Sequence, residues 1–183
     1  MRGVTHALLG VTALVALQPW APLPADLPRL GVALVCAAIG ALLPDIDSDE
    51  SLIRHETHTA RSDGPVGWLV SWLMPSHRGV THSGLAALAV CGLAWRWPHY
   101  WLTALAIGYV CHLAADMLTR QGVPVLWPVH WRLSLAPLTT GGAGEALISL
   151  AAGGWLVLAV LGRFGISLSP VWRSVLSLAK GLQ

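Results

Sequence analysis

With 183 residues, 55% of them hydrophobic and only 11% charged, the chain falls well below the roughly 25% charge of a soluble domain. Its mean hydropathy is positive, so the composition excludes an ordinary soluble domain and identifies an integral membrane protein. A net charge of +2 argues against a nucleic-acid partner. The three cysteines (Cys36, Cys91, Cys111) lie singly in apolar stretches without a CxxC pair, which argues against a sulfur-ligated metal or a disulfide framework.

Five apolar segments follow in order: Val4–Leu17, Leu30–Leu43, Gly79–Trp97, Tyr100–Leu118 and Ala143–Leu161. The last three have about 19 residues, enough to cross a hydrocarbon core of ~30 Å. The first two have about 14 and need local thinning or shielding by neighbours. An open strand edge cannot face lipid, so all five are read as helices. The first is not read as a signal peptide: His6 interrupts it, and Gln18-Pro19-Trp20 is a poor cleavage site. The expected fold is an all-α, multi-pass transmembrane bundle spanning 1–165, followed by an amphipathic helix at 166–183.

The connections differ in character. The stretch Gln18–Arg29 is proline-rich and reads as an extended loop. The region Asp45–Arg78 is the longest polar stretch, with a short interfacial helix expected over Val66–Met74. The pair Trp97-Pro98 begins a tight turn, and Thr119–Gly142 is a second long loop. Ser169-Pro170 marks the start of the terminal helix, whose apolar positions recur at helical spacing opposite Arg173, Ser174, Ser177 and Lys180.

Alternating crossings put the polar candidates on one side. His6 opens the first segment, Asp45 and Asp47 follow the second, and His77, Arg78 and His82 enter the third. His112 and Asp116 close the fourth, and Glu145 opens the fifth. Arginine and lysine barely separate the two sides: Arg2, Arg54, Arg61, Arg78, Arg120 and Arg132 against Arg29, Arg96, Arg163, Arg173 and Lys180. This gives a slight bias towards a cytoplasmic site.

The candidates are the nitrogen and oxygen donors that zinc and similar divalent metals take. His112 and Asp116 are four apart, which stacks them on one helix face within reach of one ion. Asp45 and Asp47 point the same way in an extended stretch and can share or bridge metals. Gly79 lets the chain bend so that His77 and His82 both turn inward. Arg78 suits a phosphate oxygen pair, with an interface anchor as the alternative. His6 and Glu145 are site candidates by their side, although a helix start favours an acid in any case. Asp49, Glu50, His55, His58 and His99 read as surface, and His130 as a weaker candidate.

The motifs Thr5-His6, Leu43-Pro44-Asp45-Ile46-Asp47-Ser48, His77-Arg78-Gly79-Val80-Thr81-His82-Ser83 and His112-Leu113-Ala114-Ala115-Asp116, with Gly122 and Trp127-Pro128, resemble a bacterial family. It is the family of membrane-bound metal-dependent hydrolases, also labelled LexA-binding inner-membrane-associated hydrolases (YdjM-like). The resemblance covers residues 1 to about 150 and implies a multi-pass inner-membrane protein with a hydrolase site. The His112–Asp116 pair is also similar to the HxxxD element of zinc-dependent phospholipase C, although the N-terminal tryptophan ligand of that enzyme is missing here.

The preferred expectation is a metal-dependent hydrolase acting on a phosphoester or other ester of a lipid or membrane-accessible substrate. Two ions, zinc before manganese or iron, would be held among His6, Asp45, Asp47, His77, His82, His112 and Asp116. Asp47, Arg78 and Glu145 are the expected catalytic groups, as base or as a clamp on phosphoryl charge. The alternatives are a structural metal site, a proton or cation path, or a regulatory protein-binding membrane protein.

Overall fold

The computed structural model describes residues 1–47, 80–120, 122–124, 131–135, 138–163 and 165, with the side chains of 46, 47 and 80 outside that description. His77, Arg78, the helix expected over Val66–Met74, His130 and the terminal helix at 166–183 therefore lie outside the described residues. So does the side chain of Asp47.

Five α-helices occur among the described residues: α1 (Gly3–Ala16), α2 (Leu27–Gly40), α3 (Gly84–Arg96), α4 (Tyr100–Met117) and α5 (Ala143–Arg163). Two 3-10 turns, Leu43–Asp47 and Val80–His82, follow α2 and precede α3. The long loop after α4 is not wholly irregular. Strands β1 (Val123–Pro124) and β2 (Arg132–Leu133) pair antiparallel within it, with Val123 opposite Leu133. The Leu135 amide donates to the Met117 carbonyl at 2.7 Å, so this loop is pinned under the end of α4.

Two helix starts differ from the sequence expectation, each for a capping reason. The second apolar segment was expected to begin at Leu30, but α2 begins at Leu27. The Asp26 carboxylate accepts the Arg29 amide at 3.0 Å, and Pro28 occupies an early position where no amide is needed. The third segment was expected to run about 19 residues from Gly79. The α-helix has only 13, because Ser83 is extended and its hydroxyl accepts the Ala86 amide at 3.2 Å. The residues before it coil into the tighter turn that carries His82.

Helix α4 is the centre of the bundle and packs against α1, α2 and α3, while α5 packs on α1. Close approach depends on small residues. Leu14, Ala33, Ala37 and Ala104 form one buried cluster between α1, α2 and α4, and Tyr109, Leu113 and Val123 form another. Gly10 fits against α2: a Cβ there would lie 2.7 Å from the Ala41 Cβ.

The outside of the bundle is apolar. Leu147, Leu150, Trp155, Val157, Leu158 and Val160 of α5 are all exposed. With 21 residues, α5 is the one described helix long and apolar enough to cross a membrane. At 1.5 Å per residue such a helix reaches about 31 Å. Helices α1, α2 and α3 are apolar but shorter, with 14, 14 and 13 residues.

Candidate metal centre

Four pieces of chain deliver histidine and aspartate to one end of the bundle. His6 comes from the second turn of α1, Asp45 from the 3-10 turn after α2, and His82 from the turn before α3. His112 and Asp116 come from the last turns of α4. His6, His82, His112 and Asp116 are buried, and the Asp45 side chain alone of the five keeps substantial exposure, at 31%.

Each position has a local cause. The i, i+4 spacing puts His112 and Asp116 on one face of α4. The His112 Nδ1 proton is donated to the Ala41 carbonyl at 2.7 Å, which fixes the ring and leaves Nε2 as a lone pair facing the cluster. An outer hydrogen bond of this kind is how metal-ligating histidines are usually held. The 3-10 turn carrying His82 is held from two sides. The Thr81 hydroxyl donates to the Pro44 carbonyl at 3.1 Å, and the Tyr109 hydroxyl donates to the Thr81 carbonyl. His6 stacks on His112 with ring centroids 3.8 Å apart.

The separations match a shared cation. His82 Nε2 and His112 Nε2 are 3.2 Å apart. Asp45 Oδ1 lies 3.4 Å from the first and 3.7 Å from the second. Asp116 Oδ2 lies 3.8 Å and 3.7 Å from the same two nitrogens. A tetrahedral shell with zinc–ligand bonds of about 2.0–2.1 Å has edges of about 3.3–3.4 Å, so the two imidazoles together with either carboxylate need little movement to close on one ion. The other oxygen of Asp116 faces away from that group: Oδ1 is 3.3 Å from His6 Nε2 and 3.0 Å from the Met1 amino group. His6 Nδ1 is buried without a hydrogen-bond partner among the described residues. Such an orphaned polar atom, in a cluster built only of nitrogen and carboxylate donors, fits a divalent metal and its water.

Burial raises the Asp45 carboxyl pKa. The hydrogen bond to His82 and the neighbouring imidazoles of His112, His6 and His82 outweigh it and hold the group below the usual carboxylate value. Asp45 is thus ready to bind a cation on the exposed side of the cluster.

Glu145, a candidate catalytic group from sequence, has a different set of partners. Its Oε1 accepts the Arg2 amide and the Thr5 hydroxyl, both at 2.7 Å, and its Oε2 accepts the Gly141 amide at 2.6 Å. Gly141 has a φ of +75°, a conformation that side-chain-bearing residues rarely adopt. The carboxylate therefore sits between the N-termini of α1 and α5, where both helix dipoles favour it. Hydrogen bonds to a charged group are worth about 1.5–3 kcal/mol each, so Glu145→Ala is expected to destabilise the protein by more than about 3 kcal/mol. Thermal unfolding in detergent checks this, and the folded fraction is expected still to bind metal.

Two supporting residues, Tyr109 and Ala41, and the capping role of Ser83 escaped the sequence reading. Only Ser83 carried a signal, as a capping residue directly before an apolar run. The Ala41 carbonyl and the Tyr109 hydroxyl act through tertiary contacts that no local pattern encodes.

A helical bundle with apolar outer faces and a histidine–carboxylate cluster at one end belongs to the class of membrane proteins that carry a polar centre on helix ends. The chain is a member of the YdjM inner membrane protein family, whose profile matches residues 1–178. It is similar to the inner membrane protein YdjM of Escherichia coli and to that of Shigella flexneri. Each is 34% identical over 136 residues, which cover 66% of this chain and 63% of the relative. The chain thus spans less than two thirds of the length of these curated relatives. No solved structure matches it. Membership places the protein in the bacterial inner membrane.

Proposed function

We propose that this protein is a multi-pass membrane hydrolase whose metal is held by His82, His112, Asp116 and Asp45. The observation that carries the reading is the convergence of these donors, three buried and one half-buried, with the two imidazole nitrogens 3.2 Å apart and each carboxylate oxygen 3.4–3.8 Å from both. A divalent metal held by these residues would supply a water of pKa near ~7 and a positive charge for a substrate oxygen. The chain's own residues do the rest. His112 is oriented by the Ala41 carbonyl, His82 by the turn that Thr81 and Tyr109 anchor, and Asp45 forms the exposed edge through which a substrate reaches the centre.

The substrate class is suggested by the apolar side chains that the same chain segments expose. Leu42 beside the Asp45 turn, Leu85 at the start of α3 and Val4 at the start of α1 are exposed. Large apolar side chains beside a polar centre at the end of a membrane bundle suit an amphiphile with its head group at the metal and its chain in lipid. We therefore assign the substrate to esters of membrane lipids, phosphoesters first, because the head-group charge complements a divalent cation. The five helices cross the membrane together. The shorter ones rely on local thinning and on their packing with α4 and α5, and the site faces the cytoplasm.

The polar side chains gathered at one end favour this reading over a conducting path, which would need such groups along the helices. The test is hydrolysis of phosphomonoester and phosphodiester lipids in mixed micelles by detergent-purified protein. Activity is expected with zinc or manganese, lost with a chelator, restored by metal and absent in His82→Ala. A folded, metal-loaded protein that cleaves neither phosphoester nor carboxylic ester lipids would overturn the enzyme reading.

A further inference from the structure

We propose that the β1–β2 hairpin is a lipid-binding element: its outer strand lays Trp131, Leu133 and Leu135 into the anionic head-group layer beside the end of α4, with Arg132 serving the lipid phosphates. The inference rests on the reading above that the helices cross the membrane. It does not depend on the hydrolase reading.

Three observations carry it. The first is the height at which the hairpin is fixed. The Leu135 amide donates to the Met117 carbonyl at 2.7 Å, one residue past Asp116, and the Ser134 hydroxyl donates to the Thr119 carbonyl at 2.6 Å. Gly122, at a φ of +61°, comes so close to β2 that a Cβ there would lie 2.6 Å from the Leu133 carbonyl oxygen. The same loop leads into α5, the described helix long and apolar enough to cross a membrane. The hairpin is therefore held where the border of the bilayer falls.

The second is the difference between its strands. In β1, Val123 is fully buried and packs with Tyr109 and Leu113. In and beside β2, Trp131 is 65% exposed, Leu135 66% and Leu133 36%. Cross-strand partners share one face of a sheet, so Leu133, opposite Val123, continues the apolar face that the bundle covers. Trp131 and Leu135 stand two positions either side of Leu133, the spacing that a strand turns to one face. An apolar face that begins in the bundle and runs out beyond it needs an apolar cover, and at this height that cover is lipid.

The third is charge. The sequence has no carboxylate between Asp116 and Glu145, whereas Arg120, His130 and Arg132 fall in that stretch. Indole suits the border between head groups and acyl chains, and guanidinium pairs with phosphate oxygens. An acid-free, arginine-bearing segment complements an anionic leaflet. A lipid gripped there lies beside the end of α4 that carries His112 and Asp116.

The experiment uses the full chain, labelled with fluorotryptophan and placed in nanodiscs of phosphatidylethanolamine and phosphatidylglycerol, read by fluorine NMR. The signals of Trp131 and of Trp155, which is exposed on α5, are assigned by their loss in Trp131→Phe and Trp155→Phe. The probes are lipids with a nitroxide near the head group or deep in the acyl chain, and a water-soluble gadolinium chelate. Trp131 is expected to be broadened by the shallow nitroxide and little by the chelate, and Trp155 by the deep nitroxide. Broadening of Trp131 by the chelate alone, or by neither probe, would overturn the inference while leaving the crossing helices intact if Trp155 still answers to lipid. Broadening of Trp155 by the chelate alone would overturn the membrane crossing and the inference with it. Exchanging phosphatidylglycerol for phosphatidylcholine is expected to reduce the nitroxide broadening of Trp131, and an unchanged signal would overturn the preference for anionic lipid.

Discussion

Replacing Asp116 with alanine is expected to strip the protein of metal, a larger effect than any other single change at the centre. Asp116 engages both oxygens, Oδ1 towards His6 and Oδ2 towards His82 and His112. Losing an outer-shell partner lowers metal affinity by about 10–100-fold, and loss of a carboxylate facing three imidazoles exceeds that. Asp116→Asn separates charge from shape. It keeps the volume on α4 and the helix end, but removes the negative charge that offsets the cation. Titration with zinc in detergent is expected to show more than a 100-fold weakening for both variants, with the smaller loss of thermal stability in Asp116→Asn. Wild-type affinity in Asp116→Asn would contradict the assignment.

The second large effect lies away from the polar residues. Gly40 and Gly108 face each other across α2 and α4. A Cβ on Gly108 would run into the Ala37 carbonyl oxygen, and one on Gly40 into the Leu105 carbonyl oxygen. Both obstacles are backbone atoms, which cannot rotate away. Overpacking typically costs about 1–3 kcal/mol, and a clash with backbone falls at or above the top of that range. His112 is one turn beyond Gly108 on α4, and its ring hydrogen-bonds the carbonyl of Ala41, one residue past Gly40. Parting the two helices therefore also misplaces His112, a proposed metal ligand. Gly108→Ala is expected to lower the thermal unfolding midpoint sharply and to weaken zinc binding together with it. Gly92→Ala is the control: a Cβ at Gly92 meets nothing within 4 Å, and alanine favours a helix by about 0.5–1 kcal/mol. If Gly108→Ala behaves like Gly92→Ala, the α2–α4 contact does not hold the bundle and His112 in place.

Much of this arrangement is written locally in the chain. Apolar periods interrupted by polar pairs marked four of the five helices to within about three residues. The His112–Asp116 spacing puts both groups on one face before any fold is known. Alternation of crossings then sends His6, Asp45, His82, His112 and Asp116 to one end, where the structure gathers them. The departures have physical causes. The start of α3 is set by one hydroxyl on Ser83, and hydropathy alone runs the helix back through His82. Glu145 is a site candidate by its side of the bundle and an acid at a helix start. Its partners, two backbone amides and the Thr5 hydroxyl, come from Arg2, Thr5 and Gly141, and a distant backbone amide leaves no trace in sequence. The carbonyl that orients His112 is hidden for the same reason.

Helix length shows the same limit. An apolar segment states that a helix avoids water, but 13 or 14 residues fall short of the ~30 Å core. Only packing against longer neighbours decides how such helices sit. Here the central position of α4 and the small residues at Gly10, Ala37, Ala104 and Gly108 supply that packing.

The most direct test of the central claim is X-ray absorption at the metal edge of protein purified in detergent after loading with zinc. The account predicts a first shell of nitrogen and oxygen at about 2.0–2.1 Å with outer-shell scattering from imidazole, abolished in Asp116→Asn. A shell containing sulfur, or a spectrum unchanged in that variant, would contradict it.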